Sequence, residues 1–262
     1  MKEVFKKYAA VVFFDTETTG LDAETCQIIE LAAIRIEQTE HGTLRMADHA
    51  DIFVKLPEGQ RIPEKIVELT GITDETLEAE GVTEAEAAAI FTDMIRNDKG
   101  PVLLVAHNAQ FDLLFVREML RRNPFYKPEK IEFEKTGVNM TISYEREKIL
   151  ERADYLDSLT VYKDRRAYPH KLANAIAAYK LQDKVQNSHR AIDDVAALFE
   201  VCKAMDKERA DLLNYVNIFG YNPRYGVSGN RLDGVTYWPQ RFNNYMQAPN
   251  YTLPARCKRG DR

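Results

Sequence analysis

Apolar residues fall along the chain in short continuous runs separated by polar, helix-periodic stretches, the pattern of an α/β protein. Residues 9–14 (AAVVFF) form a run with β-branched and aromatic members, as expected of a strand buried on both faces. Residues 28–36 (IIELAAIRI), 50–56 (ADIFVKL) and 102–106 (VLLVA) predict three more strands, and a short one resumes at Tyr155 before a helix start near Ser158. Between them, Pro63 opens a short helix through Leu69 that Gly71 stops, and Thr73 caps another, with Thr76 where a capping box prefers Glu. A Thr-capped, Ala- and Glu-rich segment over 83–95 reads as helix until Gly100-Pro101 breaks the chain. Residues 109–122 predict an amphipathic helix with Phe111, Leu114, Phe115 and Met119 on one side, ended by Asn123-Pro124. Residues 171–179 and 191–205 complete the helices. Three sequential strands followed by crossovers imply a mixed sheet, antiparallel in its first part and parallel in its second.

Two stretches break the pattern. Residues 125–153 lack a period and are rich in Lys and Glu, as in an insertion that forms a lid or surface excursion. From about 215 the chain becomes rich in Tyr, Asn, Pro and Gly, holds Trp238, and ends in the basic string 256–262. This predicts an irregular, aromatic-rich C-terminal appendage over 206–262 with a disordered end, beside a main domain over 8–205.

Composition changes this picture little. A chain of 262 residues with 45% apolar and 29% charged residues can bury a full core. The net charge of −5 is not the basic footprint of a duplex-wrapping protein, but a cation-loaded acidic pocket can still accept a phosphodiester at a strand end. Cys26, Cys202 and Cys257 are too few and too scattered for a disulfide framework or a zinc site, and fit a reducing, cytoplasmic setting. Lys2, Lys6 and Lys7 before the apolar run at 8–14 are similar to the start of a signal peptide. That run ends in Asp15 without a cleavage site, so a buried first strand is expected instead. No run approaches the ~18 apolar residues of a membrane span.

The candidate chemistry lies where apolar runs end. Asp15 and Glu17 close the first strand, and side chains at i and i+2 project to one face. Carboxylates so close repel unless cations sit between them, and hard Mg²⁺ prefers their oxygens. His107-Asn108 turns the chain after the 102–106 strand, at the C-terminal strand end where α/β sheets place ligand sites, and leads to Asp112. His189 and Asp194 are five apart, ~140° around a helix, so a shared pocket needs His189 in the preceding loop and Asp194 in the first turns, with Ser188 a candidate cap. Each piece alone also has a plain structural reading: a strand end in solvent, a helix-dipole Asp, a surface His. Asp157 is read as structural and Asp193 as directed away from the pocket.

Together, FFDTETTGL, HNAQFD and HRAIDDV resemble, in order and spacing, the three motifs of DEDDh-type 3′→5′ exonucleases of the RNase H-like superfamily. LTGITDETL at 69–77 is similar to a segment of the branch containing the epsilon proofreading subunit of DNA polymerase III. The resemblance implies a five-stranded RNase H-like sheet flanked by helices and two Mg²⁺ ions, with Mn²⁺ a plausible substitute, held by Asp15, Glu17, Asp112 and Asp194. It implies His189 as general base, and contacts to the end nucleotides from Thr18, Asn108 and Phe111. The expected substrate is a single-stranded DNA 3′ end cut to nucleoside monophosphates, in DNA replication or repair with an unidentified partner. RNA as substrate and a non-catalytic binding module are the alternatives.

Overall fold

The computed structural model describes residues 1–124, 129–132, 139–142, 147–185 and 190–240. The chain opens with α1 (Lys2–Lys7), which the hydropathy pattern did not indicate; its buried Val4 and Phe5 join the core. β1 (Ala10–Thr18) then runs past the apolar stretch to include Asp15 and Glu17. β2 (Ile28–Gln38) pairs with it antiparallel. β3 (Leu44–Phe53) begins six residues before the expected strand. It is the edge strand, where only Ala50 is buried, so apolar content marks its end alone.

α2 (Glu64–Thr70) stops at Gly71, whose φ of 72° lies in the left-handed region that glycine tolerates. α3 (Asp74–Glu80) is capped by Thr73, which accepts from the amide of Thr76, and α4 (Glu84–Ile95) by a Thr83/Glu86 capping box. β4 (Val102–Ala106) and α5 (Ala109–Arg122) fall as predicted. Within the expected insertion, β5 (Glu129–Glu132) and β6 (Asn139–Ile142) pair with each other. α6 (Glu147–Leu150) follows, and Leu150 and Ala153 are buried in the main core. β7 (Asp154–Asp157), α7 (Ser158–Arg165), α8 (Leu172–Ala178) and α9 (Ala191–Glu208) complete the α/β part.

Among the described residues the main sheet has five strands in the order β3-β2-β1-β4-β7, with β4 and β7 parallel to β1. Alternation along β1 divides the core. Val11 and Phe13 face α9, packing with Val195, Leu198 and Val201. Val12 and Phe14 face α4 and α5, packing with Phe91, Leu113 and Phe115.

The C-terminal extension is bound into this core. After α9, a 3-10 turn (Leu212–Tyr215) leads to β8 (Ile218–Tyr221), which pairs in parallel with β9 (Thr236–Pro239). Ile218 and Trp238 join the α9 side of the core, and Phe219 and Leu232 the α5 side. The intervening loop lies so close on α5 that a Cβ at Gly229 would stand 2.6 Å from Leu114 Cδ1. Aromatic composition signalled an appendage, but burying those rings required the sheet they pack on. The expected disordered end, including Cys257, lies outside the described residues.

Candidate active site

β1 pairs with β4 only from Ala10 to Phe13, so Asp15 to Thr18 overhang the C-terminal end of β4. α5 begins in the crevice this leaves, the usual ligand position of an α/β sheet. Asp112, 3% exposed in the first turn of α5, reaches back to β1, where its Oδ1 accepts from the amide of Thr16 (3.1 Å) and from Thr16 Oγ1 (2.9 Å). Asp15 and Glu17 point to the opposite, α9-covered face, as strand alternation requires. Ala32 stands opposite Asp15 and Glu30 opposite Glu17 on β2. α9 carries Asp194 as its fourth residue, over that face.

The charges of these four carboxylates act on one another. Burial pushes Asp15 well above the usual carboxylate range, and the charges of Asp112, Asp194 and Glu17 add to the shift. Glu17 is raised to about 8, first by burial and then by Glu30, Asp194 and Asp112. Asp112 is raised to about 7 by burial, against the two Thr16 hydrogen bonds that favour its charge. The charge of Asp193 acts on Arg190. Among the described residues no group of three or more His, Cys, Asp or Glu side chains is placed to hold a metal ion. The donor set nevertheless fits hard divalent cations: acidic oxygens, three of them (on Asp15, Glu17 and Asp112) held above their ordinary values first by burial.

Asp157 sets the geometry of the turn before α5. Its Oδ1 accepts from the amides of Asn108 (3.0 Å), Ala109 (3.1 Å) and Leu159 (3.2 Å), and its Oδ2 from Thr160 (3.1 Å). One carboxylate thus starts two helices, α5 and α7, and holds exposed Asn108 in the left-handed region at φ 81°. His107 is structural: Nδ1 lies 2.9 Å from Ser158 Oγ, Nε2 lies 2.9 Å from the carbonyl oxygen of His170, and burial lowers its pKa. Phe111 is partly exposed and packs on Phe115 with centroids 4.8 Å apart. Thr18 is buried; its hydroxyl donates to the Gly20 carbonyl at 2.6 Å, turning the chain after β1.

His189 and its candidate cap Ser188 lie outside the described residues. The N-cap of α9 is Arg190, whose side chain makes no cap bond. The acceptor comes instead from Glu30, which the sequence reading passed over. Burial raises its pKa, against hydrogen bonds from Ala191 and Arg190. The signal was present as a lone charge inside the two-faced apolar strand IIELAAI.

Comparison with known proteins gives the chain's family. The family model described as Exonuclease (RNase_T) matches residues 12–202, the span of all three motifs. The chain belongs to this exonuclease family. The DEDD-type 3′→5′ exonuclease resemblance of the motifs therefore holds, as does the RNase H-like fold. Ribonuclease T of Vibrio vulnificus is 34% identical over 137 residues, 48% of this chain and 63% of its own length. The PolC-type DNA polymerase III of Clostridium perfringens is 28% identical over 216 residues, 82% of this chain and 12% of its own. The chain thus spans less than two thirds of these curated relatives. Among solved structures, E. coli Exonuclease I in complex with a dA16 oligonucleotide aligns over 79% of this chain and 42% of its own, with a TM-score of 0.60 and 19% identity. A zinc-bound form of the same enzyme with single-stranded DNA gives a TM-score of 0.59 over 80% of this chain and 43% of its own, at 19% identity. At such identity these structures speak for the fold. Among the described residues no helix is long and apolar enough to cross a membrane.

Proposed function

We propose that this exonuclease-family chain removes nucleoside monophosphates from the 3′ ends of single-stranded DNA, with Asp15, Glu17, Asp112 and Asp194 holding two divalent cations. What supports the reading is the grouping of acids around the end of β1: Asp15 and Glu17 are raised first by burial and then by neighbouring acids that include Asp112 and Asp194, and Asp112 is raised to about 7 by burial. Such a group is costly in a folded protein unless cations complete it. When bound, Mg²⁺ or Mn²⁺ ions supply Lewis-acid activation of the attacking water and neutralise charge developing on the leaving 3′ oxygen.

The chain's own residues do the rest. His189, which immediately precedes the N-cap Arg190 of α9 in the sequence, takes the proton of the attacking water, because an imidazole titrates near neutral pH. Thr18, at the end of β1, and Asn108, exposed in the turn before α5, flank the carboxylates and contact the end nucleotide. Phe111 presents its partly exposed ring for stacking, which tolerates any base. Asp157, by bonding both backbone amides of that turn, orients Asn108, Phe111 and Asp112 together.

Single-stranded DNA is favoured because the Exonuclease I neighbours hold DNA oligonucleotides and a PolC-type polymerase is among the relatives. RNA is the second reading, carried by the ribonuclease T relatives. A cytoplasmic role in DNA replication or repair, with a partner from that machinery, follows from the first. The deciding experiment is a time course on matched DNA and RNA oligonucleotides labelled at the 5′ end, with Mg²⁺ and with EDTA, for the wild type, Asp15→Asn and Asp194→Asn. We expect Mg²⁺-dependent ladders on DNA, and rates lowered more than ~100-fold in both variants, since loss of a ligand exceeds the 10–100-fold typical of its outer-shell partners. Full activity in a folded variant would refute the assigned site. Binding without cleavage by the wild type would identify a non-catalytic module.

A further inference from the structure

Glu30 is 0% exposed, and the chemistry proposed above does not use it. It lies on β2 directly across from Glu17, on the face that α9 covers. Both its oxygens are engaged. Oε1 accepts from Arg190 Nε at 2.7 Å, and Oε2 accepts from the amide of Ala191, the first residue of α9, at 3.1 Å. A carboxylate on the sheet therefore caps a helix of 18 residues whose own N-cap side chain does not. It also puts negative charge at the positive end of that helix. Arg190 is gripped from a second strand as well, its guanidinium 4.9 Å from the centre of the Phe53 ring at the end of β3.

From this geometry we infer that Glu30 is a positioning residue: with Arg190 it fixes the first turn of α9 over the sheet and so sets where Asp194 stands relative to Asp15 and Glu17. Asp194 follows Arg190 within one turn, its amide donating to the Arg190 carbonyl at 3.2 Å. The strand opposite one carboxylate and the helix that carries another are thereby tied together through a single side chain. Because its oxygens are already committed, Glu30 acts through α9. The inference rests on Asp15, Glu17 and Asp194 being cation ligands.

The test compares the wild type, Glu30→Ala, Glu30→Gln and Arg190→Ala by Mn²⁺ titration calorimetry, oligonucleotide trimming and thermal unfolding. The Arg190 side chain is 40% exposed, so removing Glu30 leaves a cation that water can solvate. In Glu30→Ala we expect Mn²⁺ affinity and kcat each to fall about 10–100-fold, with KM for the oligonucleotide within about threefold of the wild type. Glu30→Gln, which keeps an acceptor for Ala191, should recover part of both losses. Glu30→Ala combined with Arg190→Ala should lose no more than Glu30→Ala alone. A purely structural role would lower the melting temperature and leave Mn²⁺ affinity unchanged in the folded protein, which would overturn the inference. If Glu30→Ala does not fold, Arg190→Ala decides by the same readouts. A wild type that neither binds Mn²⁺ nor trims would sink the exonuclease reading and this inference with it. An active wild type whose folded variants bind and turn over normally would sink this inference alone.

Discussion

Removing divalent cations should make this protein less stable as the pH rises from about 5 to about 8, the reverse of ordinary acid sensitivity. Glu17 is raised from 4.5 to about 8 and Asp112 from 3.8 to about 7, with Asp15 also well above its ordinary value. A carboxyl whose folded value lies above its unfolded one keeps its proton in the native state where the unfolded chain has lost it. The native state then binds more protons throughout that window, and stability falls with rising pH. At ~1.4 kcal/mol per proton per pH unit, discounted for mutual coupling and for the partial exposure of Glu17, the loss is a few kcal/mol. For a chain of this size that is a drop of order 10 °C in melting temperature. Asp154 and Glu208, whose partners lower their values, titrate below this window, whereas His107 and His170, lowered by burial, act in the opposite sense up to about pH 6.5 and reduce the slope there. Cation binding requires the ionised forms, so at neutral pH it should release on the order of one to two protons. Melting in EDTA across pH 5–8, and Mn²⁺ calorimetry in two buffers of different ionisation enthalpy, measure both quantities. A melting temperature in EDTA that is flat or rising, together with binding that releases no protons, would refute the reasoning.

The other predictions concern separate parts of the molecule. His189→Ala should slow trimming ~10²–10⁴-fold; an unchanged rate counts against the base assignment. Asp157→Ala strips acceptors from four backbone amides and should cost about 3 kcal/mol or more, together with activity, because the turn before α5 loses its anchor. Chemical denaturation and a trimming assay on the same sample check this, and full activity would separate the turn from the site. The Gln110 amide donates to the carbonyls of Ser228 (3.1 Å) and Asn230 (2.7 Å) and its oxygen accepts from Tyr237 Oη (2.7 Å). Gln110→Ala should therefore destabilise the loop between β8 and β9 by about 1–3 kcal/mol, seen as faster proteolysis within residues 222–235. Wild-type cleavage kinetics would contradict that anchoring.

Much of the candidate site could be proposed from the chain itself, because its residues sit where apolar runs end. The runs at 9–14 and 102–106 are buried on both faces, so they announce themselves without periodicity, and the carboxylates and turn that follow stand out against them. Capping chemistry likewise placed α3 and α4 to within a residue. Edge strand β3 was half missed because an edge has little to bury.

What local sequence determined, then, was the central strands, most of the longer helices and a candidate set of carboxylates, since backbone periodicity and side-chain type act over a few residues. What tertiary structure alone decided was which side chains meet. Register brings Glu30 across from Glu17, and α9 crosses the sheet so that a buried acid on β2 caps it from more than 150 positions away. The extension after residue 208, polar and irregular as a string, closes over α5 only because the completed sheet offers Phe219 and Trp238 somewhere to be buried. Such contacts depend on the sum of burial and pairing across the whole fold, and no window of sequence contains that sum.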